Sequence, residues 1–134
     1  MLSLHVMAYP IILRESDHHI AVDANWGFGH VTGLKLTEKL VEKAQAGGVG
    51  IGTMLHSGHI GRLGQYAEIV AARGLVSMLM VNSHGAAVRV APPGGKAPRL
   101  STNPLAIGVP NSGGPLVLDF STSATAEGKV RVKK

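Results

Sequence analysis

Residues 31–55 read VTGLKLTEKLVEKAQAGGVGIGTML, and this stretch decides the architecture. Leu34, Val41 and the pair Leu40/Ala44 recur near the 3.6-residue period of an amphipathic helix spanning Val31 to Ala46. Gly47-Gly48 supplies a left-handed stop. Val49 to Leu55 then reads as a short strand whose Gly50 and Gly52 leave room for a close neighbour. A helix that stops on glycine and runs straight into a strand is half of an alternating α/β unit.

The same alternation extends outward in both directions. Upstream, Ile20 to Asp23 reads as a strand. Downstream, Gly61 to Arg73 forms a second helix with Leu63, Tyr66 and Val70 on one stripe, closed by Gly74. Leu75 to Val81 follows as an apolar run, expected to be a strand buried on both faces. Ala91 to Pro98, with its three prolines and two glycines, must be a loop. Leu105 to Val109 and Leu116 to Phe120 are two further strands, joined by a Pro/Asn/Ser/Gly turn. The expectation is a layered α/β/α architecture with a mixed sheet.

Composition bounds the possibilities. The 134 residues suit about one domain, 45% of them are apolar and only 16% charged, which excludes a disordered chain. There is no cysteine, so disulfide scaffolds and thiolate metal sites are excluded. The first dozen residues are apolar but contain His5 and Pro10 and lack a basic leader, so neither a signal peptide nor a membrane span is read there. A cytoplasmic protein is expected. The net charge of +5 invites a nucleic-acid reading. Against it, Lys35/Glu38 and Lys39/Glu42 pair at helical i,i+3 spacing, and the aromatic residues are scattered. No nucleic-acid partner and no membrane partner are expected.

Two local patterns suggest chemistry on their own. Gly27-Phe28-Gly29-His30-Val31-Thr32-Gly33 nearly matches the dinucleotide fingerprint but is one residue too long. One extra residue turns the third glycine about 100° around the helix, so a tight turn with close helix packing is the preferred reading. His56 and His59 have H-x-x-H spacing, yet no third protein ligand is apparent, and no metal site is assigned. His18 and His19 read as solvated residues of a polar loop. His59 sits at a strand-to-helix transition between Gly58 and Gly61, beside a helix N-terminus suited to a cofactor phosphate or substrate carboxylate. On the residues alone it reads first as a capping histidine and second as a catalytic one.

Four motifs in fixed order add a resemblance. They are His59-Ile60-Gly61-Arg62-Leu63-Gly64-Gln65-Tyr66, Val81-Asn82-Ser83-His84-Gly85, Leu100-Ser101-Thr102-Asn103-Pro104 and Asp119-Phe120-Ser121-Thr122-Ser123. Together they resemble the malate/L-lactate dehydrogenase family, whose members include sulfolactate and ureidoglycolate dehydrogenases and reduce small 2-oxo acids with NAD(P)H without a Rossmann fold. The resemblance covers about Ile12 to Val132. It implies His59 as the acid/base residue, and His59, Ile60, Gly61, Arg62 and Leu63 as part of the cofactor lining. Ser83, Asp119, Phe120 and Ser121 correspond to further cofactor contacts, and Thr102, Glu127 and Gly128 fall at substrate-side positions. The cofactor would be NAD or NADP, and the full-length protein a homodimer.

Family members also carry an N-terminal helical segment with a Ser-His pair and a carboxylate-gripping arginine, and further C-terminal cofactor contacts. Neither is found in residues 1–134, which read as a single incomplete domain, part of the NAD(P)-binding domain. The expectation is therefore a truncated enzyme, inactive by itself, with apolar strand faces left uncovered. The alternatives are a nucleotide-binding pseudo-enzyme without turnover and a His-based metal-dependent hydrolase.

Overall fold

The computed structural model describes residues 8–83 and 88–123, together with Lys129 and Val132. Elements follow in the order β1 (Ile11–Glu15), β2 (His19–Asp23), α1 (Gly29–Gly47), β3 (Ile51–Leu55), α2 (Leu63–Ala71), β4 (Ser77–Met80), β5 (Pro104–Val109) and β6 (Leu116–Ser121). The α/β class is as expected. The strands form two three-stranded sheets, ordered β1-β2-β3 and β4-β5-β6. Mixed pairing is confined to the first, where β2 lies antiparallel to β1 and parallel to β3. The second is antiparallel throughout.

Helix α1 connects the parallel pair β2 and β3, as a crossover between parallel strands requires. It stops at Gly48, whose φ of 81° closes the last turn through an N–H bond to the Ala44 carbonyl. Its buried ridge is Gly29, Gly33, Thr37 and Val41 with Thr32, rather than the leucine stripe. Leu40 instead fills the space left by glycine on β3: a Cβ on Gly52 would lie 2.6 Å from Leu40 Cδ1. On the ridge itself, a Cβ on Gly33 would sit 3.0 Å from the Tyr66 hydroxyl, so α1 and α2 touch through a glycine. The glycine-rich entry to α1 thus serves close helix packing and not a dinucleotide turn.

Helix α2 lays Leu63, Gly64, Tyr66, Ala67 and Ala71 inward. Leu63, Tyr66, Ala67 and Ala106 of β5 form the core cluster, with Leu34, Ile60, Leu79, Val81 and Val117 packed against it. Small residues let the helix approach the sheet: the Ala67 carbonyl lies where a Gly108 side chain would be.

The run 75–81 departs from its expectation. Strand β4 is not buried on both faces: Ser77 and Leu79 turn inward, while Met78 is 61% and Met80 74% exposed. Its pairing with β5 is antiparallel, and among the described residues only α2 is seen to pack on this sheet. Register puts Met78, Ile107 and Leu118 in one row and Met80, Leu105 and Phe120 in the next, all on the face away from α2. Tyr9, Ile11, Ile12 and Leu13 on and beside β1 are exposed as well. The expected uncovered apolar surface is present. The 134-residue chain should therefore enhance the fluorescence of an anilinonaphthalene dye strongly and elute as associated species in gel filtration. A dye-silent monomer would contradict this.

The lysines and histidines beside α1 complete the comparison with expectation. Lys39 pairs with Glu42 at 3.0 Å as the spacing suggests. Lys43 instead reaches across to Glu15 at 2.8 Å and to the Ser16 carbonyl, tying α1 to the β1–β2 turn. His19 opens β2 instead of lying in a loop, while His18 is exposed with its ring against Gly47.

Candidate active site

The loop from His56 to Arg62 carries the histidine of interest. Gly61 has a φ of 80°, a conformation that favours glycine, and the His30 ring occupies the space where a side chain would project. The turn folds the Gly61 N–H back to His59 Nδ1 at 2.9 Å. With Nδ1 accepting, the neutral ring carries its proton on Nε2. His59 is exposed, so the nitrogen able to give or take a proton is the one not used by the loop. Beneath the loop, the Tyr66 hydroxyl donates to the Ile60 carbonyl, and Tyr66 is only 2% exposed. Burial pushes its phenol up, keeping it a neutral donor.

The N-terminus of α2 departs from the open anion site expected of it. Asp119, from β6, accepts the Gly64 N–H at 2.8 Å through Oδ2. A carboxylate therefore already complements the positive end of the helix. Period-two alternation along β6 explains the placement: Asp119 shares the α2-facing side with Val117, and Phe120 falls on the opposite face. Arg62 lies beside this cap and pairs with Glu68 at 2.8 Å. Both partners are about half exposed, which makes the pair a poor source of stability.

The other motifs gather at one end of the second sheet. Val81, just past β4, donates its N–H to the Pro104 carbonyl at 3.2 Å, which sets the Ser83 segment beside residues 102–104. Pro104 pairs with Ser121 across β5 and β6. Asn103 Nδ2 donates to the Ser101 carbonyl at 3.2 Å and approaches Thr122 Oγ1 at 3.5 Å, and Ser121 and Ser123 share a hydroxyl bond of 3.0 Å. The segments that carry Ser83, Thr102 and Ser121 thus meet the same end of the sheet, although the chain separates them. Asp119, two residues before Ser121, links this end to the helix start that follows His59. The Phe120 side chain is not part of the gathering. His84, Gly85, Glu127 and Gly128 lie outside the described residues.

One feature beside the site escaped the sequence reading. His56 Nδ1 bonds Asp23 Oδ2 at 2.9 Å, and Asp23 Oδ1 accepts the Asn25 N–H at 2.8 Å. The signal was present as an acidic residue ahead of the glycine-rich turn and the first histidine of H-x-x-H. Only the parallel β2–β3 pairing, which sets Asp23 beside Leu55, brings them together. Among the described residues no group of three His, Cys, Asp or Glu is placed to hold a metal ion.

The His56 bond, then the Asn25 N–H, holds the Asp23 carboxyl below its ordinary value of 3.8. A carboxyl whose pKa is depressed by folding adds stability above its unfolded pKa and loses it as pH falls through the folded one. Glu15, drawn down by Lys43 from 4.5, acts in the same direction. Melting temperature should therefore drop as pH falls below about 4, with a shallower acid limb in Asp23→Asn. Superimposable acid limbs would dismiss the Asp23 contribution.

Comparison with known proteins identifies the family. The family description "Malate/L-lactate dehydrogenase" matches residues 3–134. The malate dehydrogenase of Pyrococcus abyssi is 39% identical over 121 residues, 90% of this chain and 33% of that protein. Delta(1)-pyrroline-2-carboxylate reductase 1 of Burkholderia ambifaria is 40% identical over 129 residues, 93% of this chain and 36% of that one. The solved malate dehydrogenase of Pyrococcus horikoshii superposes with a TM-score of 0.83 at 34% identity, covering 91% of this chain and 34% of its own. The chain spans about a third of the length of these relatives. Among the described residues no helix is long and apolar enough to cross a membrane. With a family match over nearly its whole length and a backbone that superposes on a solved member, the chain belongs to the malate/L-lactate dehydrogenase family.

Proposed function

We propose that this chain forms the acid/base and cofactor-side part of a cytoplasmic, homodimeric oxidoreductase that interconverts small 2-oxo and 2-hydroxy acids with NAD or NADP. The observation that carries the reading is the state of His59: Nδ1 is engaged by the Gly61 N–H, and the exposed ring keeps Nε2 for chemistry. The reaction requires one proton at the substrate oxygen, and an imidazole can give or take it.

The residues present fit a nicotinamide nucleotide. Its ribose and carboxamide groups need hydroxyl and amide partners, and the sheet end offers Ser83, Asn103, Ser121 and Ser123. Its phosphates need a cation, which Arg62 supplies at an exposed position. When bound, the reduced nicotinamide supplies a hydride to carbon 2 of the oxo acid. For the transfer His59 acts as an imidazolium, its Nδ1 protonated and released from the Gly61 N–H: it gives the Nε2 proton to the carbonyl oxygen as that oxygen gains charge, and the neutral imidazole left behind takes the proton back in the oxidative direction. Before protonation the Gly61 N–H holds the neutral ring in the Nε2–H tautomer and fixes its orientation. Thr102, with Glu127 and Gly128 as further substrate-side positions, orients the acid by hydrogen bonds. The Asp119 carboxylate keeps a second anion away from the Gly64 N–H and leaves phosphate binding to Arg62 and the loop from Ile60 to Leu63.

A cyclic imine with a 2-carboxylate presents the same demand, hydride at carbon and proton at nitrogen. The similarity to a pyrroline-2-carboxylate reductase supports proposing it beside the oxo acids as a substrate class.

Titration of the 134-residue chain with NADH or NADPH tests the reading. Enhanced nicotinamide fluorescence that saturates is expected, with little or no turnover of pyruvate or oxaloacetate by the chain alone. Absence of nucleotide binding by a folded chain would sink it. Saturable binding with no turnover even beside the flanking regions found in its relatives would establish the pseudo-enzyme alternative.

A further inference from the structure

We infer that Asp23 and His56 form a positioning pair that sets the backbone carrying His59. The inference rests on the reading of His59 as the acid/base residue. Both oxygens of Asp23 are used, Oδ2 by His56 Nδ1 at 2.9 Å and Oδ1 by the Asn25 N–H at 2.8 Å. One carboxylate at the end of β2 thus grips the two loops that leave the parallel strands. Main-chain bonds run alongside it: Ala24 N–H to the Leu55 carbonyl at 2.9 Å, Trp26 N–H to the His56 carbonyl at 2.6 Å, and Gly58 N–H to the Gly27 carbonyl at 3.3 Å. The Trp26 ring tilts over the His56 ring with centroids 5.2 Å apart.

Backbone conformation singles out the same place. Among the described residues the non-glycine positions with positive φ are Asn25, Trp26 and His56, at 49°, 56° and 49°. All three belong to this bracket. Left-handed conformation in a tryptophan and a histidine persists only where surrounding contacts impose it, and such strain gathers at functional sites. The consequence reaches His59 directly. Gly29 has no side chain where the Gly58 and His59 carbonyls pass, with His59 O only 2.7 Å from an ideal Cβ position. His30, one residue on, fills the space over Gly61. The turn from Asp23 to His30 is therefore the mould against which residues 56–61 are shaped, and the Asp23–His56 bond locks mould to cast.

The His59 ring reports on this without any need for turnover. Long-range ¹H–¹⁵N spectra of the folded 134-residue chain should show a single Nε2–H tautomer and a Gly61 amide shifted by its bond to Nδ1. Asp23→Ala should lose that signature and populate the second tautomer. Asp23→Asn, isosteric but with one oxygen fewer, should fall between the two. His56→Asn tolerates the left-handed backbone but lacks the ring bond, and should behave like Asp23→Ala. If Asp23→Ala unfolds, the isosteric and His56 variants carry the comparison. A merely structural pair would lower stability and leave the His59 tautomer as in the parent, and that result overturns the inference. Altered ring spectra in a chain that binds no NADH or NADPH would uphold the pair and discard the dehydrogenase reading. Nucleotide binding with unaltered ring spectra would discard the pair alone.

Discussion

His59→Ala should lower turnover by about 10²–10⁴-fold, the usual span of a positioned acid/base group. The assay needs protein that carries this chain together with the flanking regions of its relatives. Affinity for NADH or NADPH should stay close to the parent value. The cofactor-side contacts proposed here come from main chain, small hydroxyls and Arg62, none of which the substitution removes. Nδ1 does leave the Gly61 N–H without its partner, but that amide lies in an exposed turn where water replaces the ring. His56→Ala should cost much less, because His56 touches Asp23 and Trp26 and acts only through the loop. Equal losses from the two substitutions would refute the assignment, and bound metal in the parent would favour the hydrolase.

Tyr66→Ala should give the largest loss of stability. Tyr66 is 2% exposed at the centre of the Leu63, Tyr66, Ala67 and Ala106 cluster. Truncating a buried aromatic to alanine costs about 3–5 kcal/mol, because the surroundings collapse only partly into the cavity. That is a large fraction of the roughly 5–15 kcal/mol by which domains are stable. The ring also spaces α1 from α2 at Gly33 and supports the Ile60 carbonyl, so the loop bearing His59 should loosen with the core. Tyr66→Phe keeps the ring and loses only the hydroxyl bond, worth about 0.5–1.5 kcal/mol. Urea unfolding of the three proteins distinguishes the effects: a midpoint for Tyr66→Ala equal to that of Tyr66→Phe would show the cavity to be harmless.

Much of the site was legible because short motifs specify local geometry. A glycine two residues after His59 must adopt a turn that side chains resist, and the turn brings its N–H to the imidazole. Asn103-Pro104 opens a strand because proline disfavours a helix in the residue before it. Other partners were hidden. The mate of the α2 N-terminus is Asp119, 55 residues further along, and no local pattern announces a contact of that range. The same holds for Asp23 and His56, 33 residues apart.

Among the described residues the sequence by itself determined the α/β class, helices α1 and α2 within a few residues, five of the six strands, and the loop at 91–98. These follow from periodicity and from glycine and proline, which act on neighbouring residues and need no tertiary partner. Tertiary structure alone decided that the strands divide into two sheets and that β1 exists. It also decided which side of each helix is buried. In α1 the buried ridge is glycine and threonine, because two backbones approach closely only where side chains are small. A count of apolar residues points to the leucines instead. Strand β4 shows the converse: its continuous apolar run suggests burial on two faces, but α2 covers only one of them. Periodicity says how residues are spaced, and packing says what lies opposite them.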